Sequence, residues 1–217
     1  SDPYDNRDPR MKYTIVCNEM KWPVDPVEIW EGGTNGLPLQ NATTTGYYLK
    51  KYVNNTISFE AGSTVTKKQH NWVLFRYGEI LLNYAEAMIN AFHDPNYKDA
   101  VYNMSAREAV NQIRGRTNIS LPGFPSDITE KDFVKRLKNE RRVELAFEGH
   151  RFWDVRRWKE LGQTANIYGV KITKNNEVIS YEKFLLETRA VTDNMYFYPI
   201  PNTERFKNPN LGQNLGW

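Results

Sequence analysis

Between Asn139 and Leu161 the chain reads NERRVELAFEGHRFWDVRRWKEL, and no other stretch constrains the fold so strongly. Arg141, Arg142, Arg151, Arg156 and Arg157 alternate with Glu140, Glu144, Glu148, Asp154 and Glu160 among Val143, Leu145, Phe147, Phe152, Trp153, Val155 and Trp158. The apolar residues recur at helical spacing and Gly149 suits a C-terminal stop, so two helices meeting at a tight corner are expected. Charge interrupts the apolar stripe of the first helix. Glu140, Arg141 and Glu144 stand where leucine would be expected, which implies carboxylates and guanidiniums paired at a helix interface. With Arg151 they are read as a structural ion network. Glu140, Glu144 and Glu148 also fall four residues apart. Acid and base chemistry would need their environments to push their pKa values apart, and the neighbouring arginines argue that all three stay ionised.

A chain of 217 residues can bury one sizeable core. A single domain is therefore expected, with a loop-rich segment 1–71, a helical segment 72–162 and a hairpin and C-terminal strap 163–217. The formal net charge is +3, with basic and acidic residues interleaved, so nothing favours nucleic acid as a partner. Cys17 is the single cysteine, which excludes an internal disulfide and a thiolate metal site and leaves an inert buried thiol as the expectation. His70, His93 and His150 show no ligand spacing, so no metal is expected. Dinucleotide, nucleotide and serine-hydrolase motifs are absent, so no cofactor is expected either. No stretch approaches the length of an apolar membrane span, and the opening SDPYDNRDPR lacks signal-peptide form and reads as a linker. The chain is therefore expected to be part of a longer protein. Asn41, Asn54, Asn103 and Asn118 begin Asn-x-Ser/Thr triplets, which matter only in a secreted eukaryotic protein.

Up to about Asn71 no long helical period appears. Thr14 to Val16 and Tyr47 to Leu49 are expected as short strands. Between them, Pro23, Pro26, Gly32, Gly33 and Gly36 punctuate the irregular Met20 to Gly46 segment. From Trp72 to Phe92 the spacing of Leu74, Tyr77, Leu81, Tyr84 and Met88 predicts a helix. A second helix begins at Ser105, where Ser105 and Glu108 form a capping box. Ala85 and Ala87, answered by Ala106 and Ala109, would let the pair approach closely as a tetratricopeptide-like hairpin. Thr129 to Asp132 is expected to cap a third helix, and Gly162 to close the fourth. Tyr168 to Tyr181 is predicted as a β-hairpin turning at Asn175-Asn176. The tail reads as irregular, strapped across the helices with its aromatics buried.

Trp22, Trp30 and Tyr47 lie in or beside the irregular segment, where packing alone rarely demands two tryptophans. Their rings could stack on the apolar face of a sugar, with Asn18, Glu28 and Asn35 supplying polar contacts, or they could plug the loop onto the protein. Long irregular segments in compact domains are usually functional or disordered, and the tryptophans argue against disorder.

Taken together, these blocks resemble the SusD/RagB family of nutrient-binding outer-membrane lipoproteins. The resemblance runs from Asn6-Arg7-Asp8-Pro9-Arg10 through Thr45-Gly-Tyr-Tyr-Leu-Lys-Lys and Arg76-Tyr-Gly-Glu-Ile-Leu-Leu-Asn-Tyr-Ala-Glu-Ala. It continues through Asn111-Gln-Ile-Arg, the Asn139 to Lys159 stretch, Pro199-Ile-Pro and the close Asn208-Pro-Asn-Leu-Gly-Gln-Asn-Leu-Gly-Trp217. It implies a mainly α, SusD-like fold with one tetratricopeptide-like hairpin, a small β-hairpin and long ordered loops. It implies capture of an oligosaccharide or polysaccharide at the bacterial surface, without catalysis. It also implies a TonB-dependent, SusC-like transporter as partner, and an outer-membrane lipid anchor carried by the N-terminal half of such proteins, this chain corresponding to the C-terminal part. By the same resemblance, the loop between the Asp-Pro-Arg and Thr-Gly-Tyr-Tyr blocks supplies aromatic platforms. Two other classes remain in view: a helical scaffold for a protein or peptide, suggested by the hairpin of Trp72 to Thr117, and a glycoside hydrolase, which would need a carboxylate pair around an open cleft.

Overall fold

A computed structural model describes residues 2–57, 64 and 66–217; residue 1 and residues 58–63 and 65, in the loop-rich segment, lie outside the described residues. Contacts group the chain into two compact units, Ser1–Val27 with Tyr48–Arg151, and Glu28–Tyr47 with Phe152–Trp217.

In the first unit a single helical turn, α1 (Met11–Thr14), leads into β1 (Ile15–Val16), which pairs antiparallel with β2 (Tyr48–Leu49), Ile15 opposite Leu49 and Val16 opposite Tyr48. Three helices follow: α2 (Tyr77–Phe92), α3 (Ala106–Arg114) and α4 (Glu130–Glu144). Their ends match the local chemistry of the sequence. Ser105 Oγ accepts from Glu108 N while the Glu108 carboxylate accepts from Ser105 N, closing the capping box on α3. Thr129 Oγ1 accepts from Asp132 N at the start of α4. His93, with φ 56°, ends α2 in the left-handed conformation just before Asp94-Pro95.

The core joins Leu81, Leu82, Ala85, Met88 and Ile89 of α2 to Ala106, Ala109, Val110 and Ile113 of α3 and to Phe133 and Leu137 of α4. Ala85, Ala106 and Ala109 are fully buried, which lets the helices approach closely. Ala87 is not part of that seam, because it lies on the exposed side of α2. The helix also begins five residues later than the apolar period suggests. Arg76 is extended, at φ −141° and ψ 155°, and its guanidinium reaches the turn that follows α4. Trp72, Leu74 and Phe75 therefore stay outside the helix and are 84%, 73% and 76% exposed.

After α4 the chain turns through Phe147 (φ 62°) and Gly149 (φ 82°) into α5 (His150–Arg157), the expected corner. α5 ends before Gly162: Lys159 takes φ 55°, and Leu161–Thr164 forms a 3-10 turn. In the second unit β3 (Asn166–Asn175) and β4 (Val178–Thr188) make the hairpin, longer than predicted and turning at Asn176-Glu177, where Asn176 has φ 54°. The tail is more regular than expected, with a 3-10 turn at Asp193–Tyr196 and a short helix, α6 (Asn202–Lys207). Its aromatics are not buried: Phe197, Tyr198, Phe206 and Trp217 are all exposed. Hydrogen bonds hold the tail instead, among them Trp217 Nε1 donating to Asn194 O and Phe197 O. No helix among the described residues is long and apolar enough to cross a membrane.

Candidate functional site

Helical spacing places Glu140 and Glu144 one above the other at the end of α4, and the turn beyond adds Glu148. All three face arginines or lysine brought from distant parts of the chain. Arg10 Nη1 donates to Glu140 Oε1 at 2.6 Å and to Glu144 Oε2 at 2.9 Å, while its Nε and Nη2 donate to Asp8. Arg114 Nη1 donates to the second oxygen of Glu140 at 2.7 Å. Arg116 takes Glu144 in a bidentate pair, both bonds 2.8 Å. Arg76 bridges Glu144 and Glu148, and Lys51 Nζ completes Glu148 at 2.6 Å.

Burial alone would raise the pKa of Glu144, but hydrogen bonds from Arg116, Arg76 and Arg10 outweigh it and hold the group at about 2. Glu148 is lowered in the same way by Arg76 and Lys51. Both carboxylates are thus ionised near neutral pH and neither offers a proton to a leaving group. Arg141, also buried, faces elsewhere: its Nη1 donates to Asn83 Oδ1 at 2.7 Å and its Nε lies 3.8 Å from Glu86. Arg151 is half-buried in the first turn of α5. Sequence reasoning about this cluster missed Arg10, Arg76, Arg114 and Arg116. A signal for the first three was present, since each stands inside a block that carries the family resemblance.

The aromatic candidates fall in different units. Trp22 belongs to the first, on a tight loop closed by Trp22 N to Asp25 O (2.9 Å), Val27 N to Met20 O (3.0 Å) and Glu19 N to Val27 O (2.8 Å). Its ring is half-buried, with Lys50 Nζ 4.5 Å from the centroid. Asn18, at the base of that loop, is buried.

Glu28, Trp30, Asn35 and Tyr47 belong to the second unit. Glu28 and Asn35 brace their own loop. Asn35 N donates to Glu28 O at 2.9 Å, Glu28 N to Asn35 Oδ1 at 3.2 Å, and Thr34 Oγ1 to the Glu28 carboxylate at 3.1 Å. Trp30 sits inside that brace, its carbonyl accepting from Gly33 N at 2.9 Å. A Cβ on Gly36 would stand 2.0 Å from Trp30 O, so only glycine permits this closure. Lys174 Nζ lies 4.4 Å from the Trp30 centroid. Tyr47 is half-buried, and its carbonyl accepts from Thr45 Oγ1. Half-exposed indoles on hydrogen-bonded backbone, each with an ammonium over the ring, can offer stacking surface and donors together. Among the described residues no group of three or more His, Cys, Asp and Glu side chains is placed to hold a metal ion.

A helical hairpin with a third helix, a buried arginine and carboxylate cluster and loop-borne aromatics define a mainly α protein with two small antiparallel sheets and long loops. The chain belongs to the SusD family, whose model matches residues 1–217. It is similar to SusD-like protein P2 of Formosa agariphila, 29% identical over 159 residues, covering 71% of this chain and 27% of that protein. SusD-like protein P38 of the same organism is 30% identical over 151 residues, covering 67% of this chain and 24% of that one. The crystal structure of a SusD-like protein from Bacteroides fragilis matches with a TM-score of 0.80 and 28% identity, over 99% of this chain and 40% of that chain. The chain thus spans about a quarter of the length of these curated relatives.

Proposed function

We propose that this chain is part of a non-enzymatic glycan-binding protein of the bacterial cell surface. It captures oligosaccharide at the outer membrane, where a lipid anchor on the longer protein holds it, and passes it to a TonB-dependent, SusC-like transporter. The observation that carries this reading is the SusD family match across residues 1–217. Two features of the chain support it: the aromatics Trp22, Trp30 and Tyr47 on braced loops, and two carboxylates, Glu144 and Glu148, too firmly ionised for acid catalysis. Trp22 and Trp30 are the stacking platforms, Tyr47 the next aromatic contact, and Asn18, Glu28 and Asn35 keep the loops in shape or meet hydroxyls. Glu140, Arg141, Glu144 and Arg151 serve the framework. The test is binding of the full-length protein to a polysaccharide panel, read by affinity electrophoresis and tryptophan fluorescence, with an assay for released sugar alongside. Binding without turnover is the expected result; released sugar, or no binding to any glycan, overturns the reading. A second reading, a scaffold for a protein partner, draws on the exposed run from Trp72 to Phe75 and would be selected by binding to a protein and to no sugar.

A further inference from the structure

Within the second unit, the segment that carries Trp30 is tied to β3 at two points. Glu31 N donates to Ile172 O and Val170 N donates to Thr45 O, each at 2.9 Å. The loop residues between Glu31 and Thr45 thus leave the strand and return to it across a single intervening β3 residue. A cavity of about 240 Å³ opens between loop and strand.

Its apolar surface comes from Ile29 and Ile172, both buried, with Phe184 and the half-exposed Leu37. Polar groups join the lining where it meets solvent. The Glu31 carboxylate and the Lys171 ammonium pair at 3.3 Å with about half of each side chain exposed, and Thr44 lines the same cavity. An exposed ion pair of this kind contributes little to stability, so the fold does not depend on it. It leaves a strong acceptor and a strong donor side by side at the edge of an apolar hollow. A pyranose has matching chemistry, an apolar C–H face bordered by hydroxyls that both donate and accept. The cavity is smaller than the roughly 300–1,000 Å³ of sites for drug-sized molecules, so it fits one ring and not a run of several.

We propose that this cavity is a subsite for a single pyranose, the terminal or branch residue of a glycan, bound end-on between the loop and β3. The proposal rests on the glycan-binding reading above and goes further, in assigning an end-recognising position apart from the tryptophans. Trp30 lies between Ile29 and Glu31 in sequence but does not line the cavity.

The experiment is calorimetric titration of the full-length protein with methyl pyranosides and with pyranose-terminated oligosaccharides, repeated on two variants. Thr44→Trp places an indole in the cavity, and Leu37→Ala removes part of its apolar wall. Each should weaken binding about tenfold or more, with folding checked by near-ultraviolet circular dichroism. If the parent binds these sugars and both folded variants bind equally well, the subsite is overturned while the glycan-binding function stands. Should Thr44→Trp fail to fold, Leu37→Ala alone decides. If the parent binds no glycan at all, the function and the subsite fall together.

Discussion

Arg10 and Glu140 are separated by 130 residues of sequence and by 2.6 Å between Nη1 and Oε1. Both side chains are almost fully buried, and Arg10 also serves Asp8 and Glu144. Removing Arg10 leaves Glu140 with Arg114 and Glu144 with Arg76 and Arg116, each short of one charge-assisted bond in a desolvated place. Arg10→Ala should therefore cost about 3 to 5 kcal/mol in denaturant unfolding. Arg10→Lys, which keeps the charge without the planar fork, should recover only part of it. An Arg10→Ala protein as stable as the parent would show that the cluster is not structural.

The same cluster fixes the response to acid. Glu144 titrates at about 2 in the folded chain against an ordinary value of 4.5. A carboxylate lowered on folding contributes stability that is complete above its unfolded pKa and is lost as pH falls toward the folded one. Glu148 and Asp8 are lowered too and act in the same direction. Stability should hold near neutrality and decline below about pH 4.5, with the loss running toward about pH 2. Denaturant midpoints measured down this range check it, and a flat profile would contradict the lowered value.

Trp22→Ala and Trp30→Ala should each weaken glycan binding by about 1 to 3 kcal/mol, the scale of aromatic stacking on nucleic-acid bases, while leaving the fold intact. Lys50→Ala and Lys174→Ala keep the indoles and should weaken binding less. Calorimetry on the four variants gives the ranking. Parent-like binding by both tryptophan variants would move the site away from these rings.

Trp72, Leu74 and Phe75 form an exposed apolar run, so the chain on its own should enhance the fluorescence of an apolar dye. A Trp72→Ser/Phe75→Ser variant should lose most of that signal with stability changed by no more than about 0.5 kcal/mol, as is usual for exposed positions. Dye binding that survives the double change would locate the apolar surface elsewhere.

What the sequence made legible was what depends on near neighbours. Ser105 with Glu108, Thr129 with Asp132 and the turn at Gly149 are contacts over a few residues, and each appears where the spacing puts it. The carboxylate side of the ion cluster was legible for the same reason, as a four-residue repeat that puts Glu140 and Glu144 in α4 and Glu148 in the turn beyond it. Its cationic side was not, since Arg10, Arg76, Arg114 and Arg116 arrive from other segments and periodicity carries no information about them. The start of α2 was misplaced because Trp72 and Leu74 continue the apolar period, whereas Arg76 leaves the helical conformation to reach Glu144 and Glu148. Trp22 and Trp30, eight residues apart, read as one loop. A hydrogen bond donated by Glu31 N to β3 and one accepted by Thr45 O from it, more than a hundred residues on, put Trp30 with the C-terminal hairpin instead.

The distance in sequence between Arg10 and Glu140 also bears on the order of events in folding. The α2 and α3 hairpin closes over a short loop and can form early, while loop closure across 130 residues is entropically dearer and slower. During synthesis Arg10 emerges well before its carboxylates and must wait until α4 is complete. Until then, Glu140 and Glu144 on a nascent helix have only Arg76, Arg114 and Arg116 to neutralise them. Late docking of the segment that carries Arg10 is therefore the expected order, and Arg10 variants should slow refolding less than they speed unfolding.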